Sequence, residues 1–163
     1  MKIYFGSDHS GFKLKHELLE YVKTLEHEVY DKGPFAYNEG DDFPDFIIPV
    51  AQEVSRSSDT VKGIIIGASG EGEVMCANRF KGVRAALYYG PASRKQTDAS
   101  GKELDIIAST REHNNANILS LGARFITEEE AKATVKLFLE TPFSNDERHV
   151  RRLAKIEKLA SCF

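Results

Sequence analysis

The stretch VKGIIIGASGEGEVMCANR, Val61 to Arg79, decides how the rest of the chain is read. Val61 to Ile66 is a short, mostly aliphatic run of strand length, the pattern of a strand buried on both faces. It breaks into Gly67-Ala68-Ser69-Gly70-Glu71-Gly72-Glu73, and residues 72–80 then read as a short helix. A strand, a tight small-residue loop and a helix make the first half of a β–α–β unit. The loop lacks the lysine of a P-loop and the spacing of a dinucleotide fingerprint.

The same alternation extends in both directions. Upstream, Ile3-Tyr4-Phe5 is a short strand ending at Gly6-Ser7-Asp8. Phe12, Leu14, Leu18, Leu19, Val22 and Leu25 recur at helical spacing, and Glu28 to Asp31 is a second strand stopped by Gly33-Pro34. Residues 33–45 are a polar loop, and helical spacing resumes from Pro44 through Phe46, Ile47, Val50 and Val54. Downstream, Val83 to Leu87 is a fourth strand and Ile118 to Leu121 a fifth. Residues 90–116 read as mostly helical, with an interruption at Asp98-Ala99-Ser100-Gly101. Thr127 and Glu130 match a capping box, opening a helix to about Glu140. Pro142 stops it, and a last helix runs from about Asp146.

Strands alternating with helices predict a three-layer α/β/α, doubly wound, Rossmann-like five-stranded parallel sheet, formed as one domain over residues 1–163. Ligands of such sheets bind beyond the carboxyl ends of the strands, where the winding reverses. Those ends carry Ser7-Asp8-His9, Gly67 to Glu73, and Gly122-Ala123-Arg124.

The bulk composition excludes several classes. The chain has 163 residues, 41% hydrophobic and 29% charged, which is ordinary for a globular protein. A net charge of -3 gives no electrostatic footprint for nucleic acid. No run approaches the roughly 20 apolar residues of a membrane span, and the amino terminus does not read as a signal peptide. Two cysteines, Cys76 and Cys162, make no metal or disulfide framework, so a reducing cytoplasm is the expected compartment.

The glycine loop supports two readings. The plain one is a strand-to-helix turn, with Glu71 and Glu73 capping their own helix. The chemical one is a cradle of backbone N–H groups and the Ser69 hydroxyl for a developing oxyanion, with a neighbouring carboxylate as general base. Two residues apart, Glu71 and Glu73 point in different directions, so at most one faces a pocket. Asp8 suits helix capping. A lone histidine such as His113 is most often a surface or capping residue. Arg148 and Arg152 share a helical face, ordinarily a solvated one, although guanidinium forks match phosphate geometry.

In combination, these stretches resemble one family. GSDHSGFKLK (6–15), DFPD (42–45), GASGEGE (67–73), ANRFKGVRAA (77–86), REHNNAN (111–117), LGAR (121–124) and RHVRR (148–152) are similar, in order and spacing, to the ribose-5-phosphate isomerase B family. That family also includes isomerases of hexose 6-phosphates. The resemblance implies an aldose–ketose isomerase that works through an enediolate, needs no metal or cofactor, and forms homodimers, or tetramers, with shared active sites. Many members carry a cysteine base just before the loop, where this chain has Gly67. Another branch places a glutamate at the end of a G-G-S-G-x-G-E loop, matched here with Ala68 in place of the second glycine.

The resemblance therefore nominates Glu73 as the base, with Ser69 and the cradle Gly67, Ala68, Gly70, Glu71 and Gly72 holding the substrate. It implies ring opening by His113, contact to the sugar or oxyanion from Asn114, sugar hydroxyls on Asp8, and His9 near the phosphate. Arg124, Arg148 and Arg152 would hold that phosphate. The last helix, about 146–160, is expected to pack on a partner subunit and lend Arg148 and Arg152 to the neighbour's site. Cys76, three residues past Glu73, reads as a core residue. One departure stands out: the segment from Leu87 to Arg111 is longer than the family pattern, with the extra residues around Ser93–Asp105. Ribose 5-phosphate is the expected substrate, with allose or galactose 6-phosphate as rivals. A non-catalytic phosphate-ligand binder is the alternative from another class.

Overall fold

The computed structural model describes residues 1–57, 60–94, 96–97, 101 and 103–160. Five parallel strands form its sheet: β1 (Lys2–Ser7), β2 (Glu28–Asp31), β3 (Val61–Gly67), β4 (Ala85–Tyr88) and β7 (Ile118–Gly122). Their order is β2-β1-β3-β7-β4. Helices α1 (Phe12–Thr24), α4 (Ile106–Asn114) and α5 (Glu128–Glu140) pack on one face, and α2 (Pro44–Arg56) and α3 (Glu71–Ala77) on the other. The sequence reading of a doubly wound five-stranded sheet is thus the observed architecture.

Strand β3 shows why the sheet is covered on both sides. Ile64 and Ile66 enter the core with Leu18, Val22, Val135 and Phe138, whereas Ile65 enters the other with Ile47, Val50 and Val54. All three isoleucines are fully buried, each contributing roughly 1.5–3 kcal/mol of transfer free energy. A polar alternation would have left one face wet.

Helix ends follow local chemistry. Pro44 occupies the first turn of α2, where its missing N–H costs nothing. The Thr127–Glu130 capping box opens α5 with both reciprocal bonds present. Helix α6 (Glu147–Ala160) is the last element of the described residues and touches α4.

The reading of residues 90–116 as mostly helical needs correction. Among the described residues, helix begins only at Ile106, because Asp105 takes the N-cap position and accepts from the N–H groups of Ile107 and Ala108. Before it, β5 (Gln96–Thr97) pairs antiparallel with β6 (Glu103–Leu104). Gly90 and Gly101 lie in the left-handed region, which a continuous helix does not allow. Most of the interruption at Asp98-Ala99-Ser100 lies outside the described residues. Strand β4 also starts two residues later than the apolar pattern suggests. The Val83 N–H closes a turn on Phe80, and the Arg84 N–H is taken by the Asn117 side chain.

Candidate active site

The winding reverses between β1 and β3, whose carboxyl ends stand side by side: Ser7 is in register with Ile66. The crevice outside these ends is where this topology places ligands. From β1 come Asp8 and His9. Asp8 is buried; its N–H donates to the Ile66 carbonyl, and its Oδ1 accepts from the Gly11 N–H at 3.0 Å. That bond secures the turn into α1, so Asp8 serves the local turn as well as facing the crevice.

From β3 comes the glycine loop. Gly70, at φ +81°, sits where a Cβ would approach the Leu87 and Ser120 side chains at under 3 Å, and the Ser120 hydroxyl donates to its carbonyl at 2.8 Å. The Ala123 and Arg124 N–H groups donate to the carbonyls of Gly67 and Ala68, tying the loop to the end of β7. The Ser69 hydroxyl accepts from the Glu71 N–H at 3.3 Å.

The two glutamates separate as their spacing requires. Glu71 is exposed; Glu73 is only 4% exposed. The carboxylate of Glu73 lies directly over the Gly67 Cα, so that a Cβ there would fall 2.0 Å from Oε1. Gly67 is glycine because the glutamate occupies the space its side chain would need. Burial pushes the Glu73 carboxyl above its ordinary range, its own backbone N–H opposes the shift, and the charge of Asp8 adds to it. A buried carboxyl raised in this way is a stronger base than a solvated one. Cys76 packs against the α2-side core; burial and Glu73 both raise its thiol, away from the reactive thiolate.

His9 is held by a residue the sequence reading did not single out. Its Nδ1 lies 2.7 Å from Asp41 Oδ1, and its backbone N–H donates to the same oxygen at 3.1 Å. Arg124 is exposed, reaches the Ser10 hydroxyl at 3.4 Å, and acts electrostatically on His9. Asp8, His9, the loop with Glu73, and Arg124 thus form one group at the carboxyl end of the sheet.

His113, Asn114, Arg148 and Arg152 form a second group elsewhere. Helix α4 runs back along the sheet and delivers His113 and Asn114 just before β7 begins. The following residues lie at the amino end: the Asn117 carbonyl accepts from Gly63, and the Arg84 Nε donates to the Asn115 carbonyl. Gly63 and Gly67 are four residues apart on β3, about 13 Å at roughly 3.3 Å per residue. One chain therefore does not bring His113 to Glu73. His113 instead packs against His149 of α6, ring centroids 4.4 Å apart. Ser109 and Ser144 hold the two Nδ1 atoms at 3.0 and 2.9 Å. His149 is buried, and burial, then His113, Arg148 and Arg152, pull its ring below the ordinary value. Arg148 and Arg152 are exposed on α6.

Asn114 also lines a groove of about 580 Å³ between the edge strand β4 and α6, with Ala86, Leu87, Ile106, Leu153 and Ile156. Ile106, Ile156 and Leu159 are more than half exposed. Arg84 is structural here: its guanidinium braces the Gly82 carbonyl and Glu157 of α6. Asp41 and His149 went unseen because one lies in an unpatterned polar loop and the other between arginines. The only available signal was their position inside or beside the motifs.

Comparison with known proteins identifies the family. Residues 3–156 match the family described as Ribose/Galactose Isomerase. Ribose-5-phosphate isomerase B of Mycolicibacterium paratuberculosis is 37% identical over 153 residues, covering 94% of this chain and 87% of the relative. Among solved structures, ribose-5-phosphate isomerase B of Mycoplasma genitalium with bound ribulose-5-phosphate superposes with a TM-score of 0.85 at 38% identity, covering 98% of this chain and 96% of that one. The type B ribose 5-phosphate isomerase of Trypanosoma cruzi gives a TM-score of 0.84 at 34% identity over the full length of both. The chain belongs to the ribose/galactose isomerase family.

Proposed function

We propose that this protein interconverts ribose 5-phosphate and ribulose 5-phosphate, with Glu73 as the base that carries a proton between C1 and C2. The observation that carries this reading is the buried carboxylate seated over Gly67 in the switch-point crevice. In the aldose-to-ketose direction Glu73 takes the C2 proton. The enediolate oxygen is stabilised by the loop and Ser69, the O2 hydroxyl proton passes to O1 as O2 becomes the carbonyl, and Glu73 returns its proton to C1. The absence of a side chain at position 67 supports the glutamate branch of the family, since a cysteine there and Glu73 would claim the same volume.

Ring opening and phosphate binding require the second group. We assign these to His113 and Asn114, and to Arg148 and Arg152, of a partner subunit in a two-fold dimer. The opposite-end placement of the groups supports this, as does the apolar groove beside an unpaired edge strand. A second copy on that face would cover Ile106, Ile156 and Leu159 and complete both sites at once. Phosphate held far from the reacting carbons then anchors the substrate through the reaction. We place the enzyme in the cytoplasm.

The test is an isomerase assay on ribose 5-phosphate, with allose 6-phosphate beside it, followed by subunit mixing. Glu73→Gln and His113→Asn proteins should each be nearly inactive. Unfolded, mixed equally and refolded together, they should regain about a quarter of wild-type activity, because half the dimers carry one intact site of two. No recovery, with both variants folded and dimeric, would end the shared-site reading. Turnover of allose 6-phosphate in preference to ribose 5-phosphate would replace the substrate.

A further inference from the structure

We infer that Asp41 is a positioning residue that holds His9 in one orientation, with Nε2 turned out as an anchor for the substrate's phosphate. This rests on the reading of the carboxyl-end crevice as a sugar-phosphate site. The loop bearing Asp41 is drawn against the end of β1 by two contacts: the Ser7 N–H donates to the Gly33 carbonyl, and the buried Lys15 ammonium donates to the Pro34 carbonyl. Lys15 is itself fixed by both oxygens of Asp31, at 2.7 and 2.8 Å. The loop is thus built onto the site.

Asp41 meets His9 twice through one oxygen, at the ring Nδ1 and at the backbone N–H. Its side chain is 6% exposed, and its Oδ2 is buried without a hydrogen-bond partner among the described residues. A carboxylate desolvated to this degree and spent on one imidazole is costly unless the imidazole carries charge. With Nδ1–H committed to Asp41, Nε2 is the ring nitrogen left to meet a ligand, and in the imidazolium it donates. Tyr37 stands edge-on to the ring, centroids 6.4 Å apart. The groups that act on the ring are Asp41 and Asp8, which favour the cation, and Arg124, which opposes it; the hydrogen bond accepted by Asp41 is the largest influence, burial opposes it, and the balance is upward.

The experiment follows His9 directly, so its outcome is separable from that of turnover. Full-length wild-type, Asp41→Asn and Asp41→Ala proteins are labelled at histidine nitrogen, with His9→Gln used to assign the ring. Wild-type His9 should carry its proton on Nδ1 when neutral and titrate above the ordinary value of about 6.5. Inorganic phosphate should raise that midpoint further, because it binds the cation. Asp41→Asn should move the midpoint down. Both variants should weaken phosphate competition and raise KM for ribose 5-phosphate about tenfold, the size of one charge-assisted contact, while kcat changes less than about twofold.

An unmoved midpoint in both variants overturns the inference. So does a wild-type His9 whose titration ignores phosphate, a measurement that needs no variant to fold. A fall in kcat at constant KM overturns it as well, by assigning Asp41 to the chemistry. If His9 and phosphate behave as expected but ribose 5-phosphate is not turned over, the isomerase reading fails and the Asp41–His9 anchor stands.

Discussion

The two ends of the sheet differ in what a single chain can finish. At the carboxyl end, Glu73, Asp8 and His9 are held by contacts within the chain: the Gly67 hollow, the Gly11 N–H and Asp41. At the amino end, His113 and His149 are locked ring against ring, yet the guanidinium groups of Arg148 and Arg152 stand exposed on α6 beside an open apolar groove. The first group is held within one chain; the second leaves its guanidinium groups exposed at the other end of the sheet. A parallel sheet delivers loop chemistry at one end and helix-to-strand returns at the other. Under the proposed function, using both in one reaction takes two copies.

The sharpest way to break this comparison is at Glu73. Glu73→Gln should lower kcat by about 10²–10⁴-fold, the range of general base catalysis, with KM nearly unchanged. The rising limb of wild-type kcat/KM should lie above the ordinary carboxyl range, in keeping with the burial that raises this group. The same shift makes a stability prediction. A carboxyl raised by folding binds its proton more tightly in the native state. Its contribution is therefore present below the unfolded pKa and is lost as pH rises through the folded one. At neutral pH Glu73→Gln should raise Tm, and the gain should shrink toward pH 4. A lower Tm at pH 7 would mean that the carboxylate is held by more than this account includes.

Gly67→Ala sharpens the same end without substituting the base itself. The added methyl must displace the carboxylate, since it would sit 2.0 Å from Oε1. Misplacement on the scale of 1 Å costs about 10²-fold in kcat. Unchanged kinetics would show that Glu73 works from another position.

The donor end should respond in binding instead. Arg152→Ala is expected to raise KM for ribose 5-phosphate by roughly 10–100-fold, the loss of one charged hydrogen bond, and to reduce the salt sensitivity of KM. A kcat effect with constant KM would put this arginine in the chemistry. Least of all, Glu71→Gln should change kcat and KM by less than about twofold, because the side chain is exposed and its backbone, not its carboxylate, contacts Ser69. An effect rivalling that of Glu73→Gln would reverse the assignment of the two glutamates.

The sequence by itself determined the strand–loop–helix alternation, the strand order class, the Thr127–Glu130 cap and the two-residue spacing that lets only one glutamate turn inward. These are local facts: apolar periodicity selects the element, and small polar residues select its ends. Residues 90–105 escaped that logic, since apolar residues interrupted by Asp105, Gly90 and Gly101 encode a ribbon and a cap as readily as a broken helix.

Only the tertiary structure decided which partners meet. Asp41 reaches His9 across 32 residues of chain, and His149 reaches His113 because α6 folds back onto α4. The placement of His113 at the amino end, remote from Glu73, was likewise invisible to motif spacing. Spacing records order along the chain, whereas the end of the sheet at which a side chain emerges depends on whether a helix precedes or follows its strand. Burial then raises the Glu73 carboxyl, because desolvation is a property of the packed surroundings and not of the residue.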